Sequence, residues 1–217
     1  MTANLKISAI MILLAGVVLA VAAGQTGPDV VADQPTTTDD DVAVLRDDSH
    51  RLSVATTGDV TLVEFLDFEC EACAAAFPFI EELRGEYGDR VTFVARYFPL
   101  PGHPNSETAA IAVEAAARQG AFEAMYQRMF ETQEQWSHGE ESQAAVFRDF
   151  AADLGLDLDE YDAAVADPAT LERVLRDKTD GIALGVTGTP TFFLNGEKLD
   201  VASTADFRAA LDAAIRG

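Results

Sequence analysis

Val63-Glu64-Phe65-Leu66-Asp67-Phe68-Glu69-Cys70-Glu71-Ala72-Cys73 is the stretch on which the rest of the chain is organised. An apolar, β-favouring run ends in two cysteines two residues apart, and the helix-favouring run Ala74-Ala75-Ala76-Phe77 follows at once. This order places Cys70 at the first turn of a helix, just past a buried strand. There the unpaired backbone N–H groups and the helix dipole favour an anion. A thiol so placed ionises more easily, and the thiolate is the nucleophile of disulfide exchange. Cys73, one turn on, is placed to attack a mixed disulfide formed on Cys70.

These are the only cysteines of the chain. A structural staple across so short a loop would remove little entropy from the unfolded chain. A chain of 217 residues also has core enough without one. A zinc site would need further ligands, and only the scattered His50, His103 and His138 are on offer. A redox pair, expected to need neither metal nor organic cofactor, is the reading the spacing favours.

A formal net charge of -22 argues against nucleic-acid binding, which needs a basic footprint. The run from Ile7 to Ala23 is free of charge and preceded by Lys6. It reads as an uncleaved signal-anchor, or as a signal peptide with a small-residue cleavage site at Ala20-Val21-Ala22; its length favours the anchor. Either sends the remainder out of the cytoplasm: a single-pass cell-membrane protein with its C-terminal domain outside, or a secreted or periplasmic one after cleavage. Residues 24–49, rich in Asp, Thr and Pro, read as an acidic disordered linker, because like charges extend a segment that cannot bury apolar surface.

The folded domain is expected over 50–217. His50 to Val54 reads as an edge strand, Val60 to Leu66 as a central strand, and Cys70 to about Tyr87 as a helix kinked at Pro78 and ended by Gly85 and Gly88. Val91 to Tyr97 then makes a parallel partner strand by a right-handed crossover. Residues 106–184 show only helical patterning and read as an insert, with Phe122, Met125, Tyr126, Met129 and Phe130 as core. Thr191 to Leu194 and Glu197 to Val201 flank the hairpin signal Asn195-Gly196, and a last helix starts after Ser203. Pro190 before a strand calls for an edge, a bulge or a cis bond. Glu64 inside a central strand either faces solvent or holds a proton, since a buried carboxylate without a partner is costly.

Taken together, Val-Glu-Phe-x-Asp-Phe-x-Cys-x-x-Cys, the Phe98-Pro99-Leu100 loop with His103-Pro104, the helical insert, and Gly188-Thr189-Pro190-Thr191-Phe192-Phe193 resemble the DsbA-like thiol–disulfide oxidoreductases of the thioredoxin superfamily, over about Val60 to Gly217. The resemblance implies an α/β thioredoxin-like fold with the insert between a βαβ half and a C-terminal ββα half. It implies that Cys70 is an exposed nucleophile and Cys73 a buried resolving cysteine. It further implies that Glu64 assists proton transfer, that Pro190 is cis, and that Thr189 presents backbone to substrate. Expected partners are unfolded or reduced secreted proteins and a membrane redox partner of the DsbB or vitamin K epoxide reductase type. The expected work is that of an oxidase. A reductase or isomerase, or a non-redox peptide-binding or chaperone-like module, are the competing readings. Glu71-Ala72 differs from the Pro-His of strong oxidants, and Glu69 and Glu71 are expected to oppose the charge on Cys70 by less than about 1 kcal/mol.

Overall fold

The computed structural model describes residues 42–217. The amino-terminal apolar run and most of the acidic linker lie outside the described residues. No helix among those described is long and apolar enough to cross a membrane.

Five strands form one mixed sheet: β1 (His50–Ser53), β2 (Val60–Leu66), β3 (Val91–Tyr97), β4 (Thr191–Leu194) and β5 (Glu197–Lys198), in the order β1-β3-β2-β4-β5. Only β2 and β3 are parallel; β1, β4 and β5 pair antiparallel. The crossover between β2 and β3 is helix α1 (Glu71–Tyr87). The insert comprises α2 (Ser106–Ala117), α3 (Phe122–Glu131), α4 (Gln133–Trp136), α5 (Ala144–Asp153), α6 (Leu158–Ala166) and α7 (Pro168–Ala183), and the chain closes with α8 (Thr204–Arg216). The thioredoxin-like architecture is therefore as the resemblance implies, and the all-helical insert as the patterning anticipates.

Side chains alternate across β2, so its two faces serve two cores. Leu62 and Leu66 face the larger core with Ile80 and Leu83 of α1, Met125 and Met129 of α3, and Leu211 of α8. Val63 and Phe65 face a smaller one with Val94, Phe98, Val186 and Phe193. Helix α7 approaches this second face closely at Gly181, where a Cβ would fall 2.7 Å from the Phe98 ring. Burial on both sides explains why β2 is nearly continuously apolar.

Helix α1 runs through Pro78 as one element and through Gly85, and is capped by Gly88, whose N–H reaches Arg84 O at 2.9 Å. Proline at that point costs one backbone bond, and packing of Ile80 and Leu83 holds the helix together across it. Two local expectations need correcting. Strand β5 ends at Lys198 rather than Val201: Leu199 makes one more bond to Phe192 O, then the edge chain turns toward the Ser203 cap of α8. Residues 42–49, expected in the linker, pack on the domain instead. Arg96, wholly buried on β3, donates to the carbonyls of Ala43 and Val44, and Arg46 pairs with Asp180 of α7. A buried guanidinium has five N–H groups to satisfy, and this segment supplies acceptors.

Candidate active site

The loop between β2 and α1 is held by three side chains. Asp67 Oδ1 accepts the Glu69 N–H at 2.9 Å, while Oδ2 accepts the Leu100 N–H at 3.0 Å and meets His103 Nδ1 at 2.6 Å. Glu69, with no exposed surface, accepts the N–H groups of Asn105 at 2.6 Å and His138 at 2.9 Å. Gln133 Nε2 donates to the carbonyls of Phe68 at 2.7 Å and Cys70 at 3.0 Å. The turn carrying the first cysteine is thus tied both to the proline-rich loop and to the insert.

Cys70 is the N-cap of α1 in extended conformation, and its side chain makes no capping bond, so the sulfur is left for other partners. Thr189 meets it across the sheet, and the Thr189–Pro190 peptide is cis. The Cys70 Sγ–H donates to Thr189 O at 3.4 Å. Among the described residues the buried Thr189 hydroxyl has no partner while Cys70 is a thiol. Ionisation supplies one. Hydrogen bonding from the Cys73 thiol, and then from that hydroxyl and the backbone of Cys73 and Ala72, outweighs burial and lowers the Cys70 pKa to about 5.

Cys73 is 1 % exposed, and its thiol is pushed far up, first by burial, then by its bond to Cys70 and by the charge of Glu64. The two sulfurs, both free, therefore differ in kind: one ionises readily, the other holds its proton. Cys70 itself is only 6 % exposed, not the open thiol that the resemblance implies.

Glu64 is buried on the face of β2 that carries Leu62 and Leu66, settling the alternative of a solvent-facing residue. Burial, then the like charges of Glu81 and ionised Cys70, raise its pKa to about 8. The carboxyl holds a proton at neutral pH and exchanges it just above. His103 is raised as well. Burial alone would lower it, but the Asp67 carboxylate outweighs burial, and the charge of Cys70 adds to the effect.

The structure thus gathers Cys70, Cys73, Glu64, Thr189 and Pro190 from three separate parts of the chain. Sequence reasoning missed Asp67, Glu69, Gln133 and the hydroxyl of Thr189. Glu69 in particular was expected to oppose the thiolate; its carboxylate is instead turned onto two backbone amides. An aspartate two residues before a free N–H is the mark of an Asx turn, and that signal was readable at Asp67. Glu71, by contrast, is exposed, with its Oε1 3.3 Å from His138 Nε2. Among the described residues no three His, Cys, Asp or Glu side chains are grouped as a metal ion would need.

A family model described as Thioredoxin matches residues 55–213. The chain belongs to the thioredoxin family. Among curated proteins it is similar to the Na(+)/H(+) antiporter NhaA of Herminiimonas arsenicoxydans, with 40% identity over 159 residues, covering 73% of this chain and 24% of the antiporter. It is also similar to Na(+)/H(+) antiporter NhaA 3 of Salinispora tropica, with 39% identity over 140 residues, 64% of this chain and 20% of that one. The chain spans about a quarter or less of the length of these relatives. Among solved structures, a thioredoxin-like oxidoreductase from Silicibacter pomeroyi superposes with a TM-score of 0.68 at 24% identity, covering 83% of this chain and 99% of its own. Wolbachia pipientis alpha-DsbA1 gives 0.67 at 20%, covering 79% and 93%. Bacillus subtilis BdbD gives 0.66 at 20%, covering 78% and 94%. These likenesses establish a DsbA-type thioredoxin fold.

Proposed function

We propose that the protein is an exported thiol–disulfide oxidoreductase that donates its Cys70–Cys73 disulfide to secreted protein substrates. The observation that carries this reading is the divergence of the two sulfurs, with Cys70 favoured as a thiolate and Cys73 as a thiol. Favouring the Cys70 thiolate stabilises the reduced pair, and a stabilised reduced form makes its disulfide a better oxidant.

In the cycle a substrate thiolate attacks Cys70 Sγ. The Cys70–Cys73 bond breaks, and its electron pair leaves on Cys73 Sγ. The Glu64 carboxyl supplies the proton that Cys73 takes up and recovers one from solvent. A second substrate thiol, giving up its proton, attacks the substrate sulfur of the mixed disulfide, and Cys70 leaves as thiolate. Two substrate thiols are oxidised to one disulfide, and the protein pair takes both electrons. Thr189 and Pro190 present backbone edge to the substrate strand beside the sulfur. The pair is reoxidised by a membrane redox partner of the DsbB or vitamin K epoxide reductase type.

Equilibration of the protein with glutathione tests the direction. A potential between about −120 and −200 mV is expected; a value near about −270 mV would turn the assignment to reductase. Cys70→Ser is expected to bring disulfide donation to reduced peptides down to background. Retention of its action on unfolded substrates would instead favour a peptide-binding module.

A further inference from the structure

From Glu71, the residue after Cys70, an open cleft of about 710 Å³ extends between the start of α1 and the α3–α4 corner. Ala74 and Phe130 supply its apolar lining, and Glu71, Glu131 and Glu134 its charge. His138 is the one basic side chain on its wall, and it is paired with Glu71. Glu131 and Glu134 are exposed and carry no ion pair among the described residues.

The cleft is fastened to the reactive turn on two sides. Gln133, immediately before Glu134, donates to the carbonyls of Phe68 and Cys70. The Glu69 carboxylate holds the His138 N–H on the other lip. The wall of the cleft is therefore fixed relative to the turn that carries Cys70.

We infer that this cleft receives a cationic segment of the polypeptide substrate, with Lys or Arg side chains near the reacting cysteine, so that the protein selects basic substrate sites. The inference rests on the exchange activity proposed above and names the substrate class for it. Charge complementarity decides the occupant. An acidic wall attracts a basic segment and raises its encounter rate. The same sign repels the chain's own acidic stretch from Asp29 to Asp41, and an anionic bilayer surface. Apolar lining from Ala74 and Phe130 accommodates the aliphatic stems of long cationic side chains.

The test uses the oxidised full-length protein and three reduced peptides with one central cysteine, flanked by Lys and Arg, by Ser and Gln, or by Glu. Each rate is divided by that peptide's rate with bis(2-hydroxyethyl) disulfide, which removes differences in intrinsic thiol reactivity. The basic peptide is expected to exceed the neutral one by about three- to tenfold at low salt, and by less than about twofold at high salt. Glu131→Gln with Glu134→Gln is expected to bring that ratio near one. Glu160→Gln with Glu172→Gln, an equal change in net charge on α6 and α7 outside the cleft, is expected to leave it. Equal normalised rates, a preference for the acidic peptide, or equal loss in both double variants would overturn the inference while leaving the exchange activity standing. Failure of the neutral peptide to react at all would overturn both.

Discussion

Glu64 and Arg96 sit on neighbouring strands, both buried, and the fold treats their charges in opposite ways. Around Arg96 every resource is spent on compensation: Nε and Nη2 bond Asp177 Oδ1 at 2.9 and 2.6 Å, Nη2 meets Asp180 Oδ2 at 2.5 Å, and the ring of Phe65 lies 5.0 Å away. Glu64 has no cation paired to it among the described residues, and its neighbours are the like charges of Glu81 and Cys70. The β2–β3 register separates the two. Phe65 lies opposite Arg96 and Glu64 opposite Ala95, so guanidinium and carboxyl point to different faces of the sheet. A slip of one residue would bring Arg96 beside Glu64, ionise the acid and end the proton transfer proposed for it. A compensated charge holds structure together; an uncompensated one near a sulfur is able to move a proton.

That contrast can be broken most forcefully at Asp177. Asp177→Ala leaves Arg96 buried with three of its five hydrogen bonds and is expected to cost about 3–5 kcal/mol in urea unfolding. A loss below about 1 kcal/mol would mean that the cluster is not the clamp described. Glu64→Gln should act in the other direction. A carboxyl raised from 4.5 to about 8 contributes stability that is fully present below pH 4.5 and is lost as pH rises through 8. The variant should match the parent at low pH and exceed it by about 3–5 kcal/mol at pH 9. Its turnover near neutrality should fall about tenfold or more, because glutamine cannot pass a proton to Cys73. Parallel stability curves for the two proteins would refute the uncompensated burial of Glu64.

Smaller effects sharpen the picture at the sulfurs. Thr189→Val removes a buried hydroxyl whose natural partner is the Cys70 thiolate. The midpoint of thiolate absorbance in the reduced protein should rise from about 5 by about half to one pH unit. An unmoved midpoint would leave the hydroxyl without a function. Glu71→Gln is the mildest change, since the side chain is exposed and shares its charge with His138. A shift of about 5–20 mV toward a more oxidising potential is expected from an interaction of about 0.3–1 kcal/mol. A much larger shift would show that acid neighbours govern the couple after all.

Much of this was legible in local pattern. The cysteine pair at a strand–helix junction, the crossover from Val60 to Tyr97, the helical block after Ser106, the Asp167 and Ser203 caps and the Asn195-Gly196 turn each carry their signal within a few residues. Less legible were roles that depend on which way a polar side chain turns. Glu69 and Glu71 flank the same cysteine and look alike as letters, yet one is sealed against two amides and the other faces solvent. Residues 43 and 44 read as linker because nothing nearby announces Arg96, about fifty residues on, as the partner that holds them.

By itself the amino-acid order determined the elements, their succession and the seat of the cysteine pair at a helix start, because hydrophobic period, capping and turn chemistry act over one or two turns of chain. Tertiary structure alone decided the charge states. Whether a carboxyl is ionised depends on what packs against it from distant segments and on a strand register that places a cation on one face or the other. Burial of Glu64, the hydroxyl of Thr189 over Cys70, and the acid cleft tied down by Gln133 all arise from that packing.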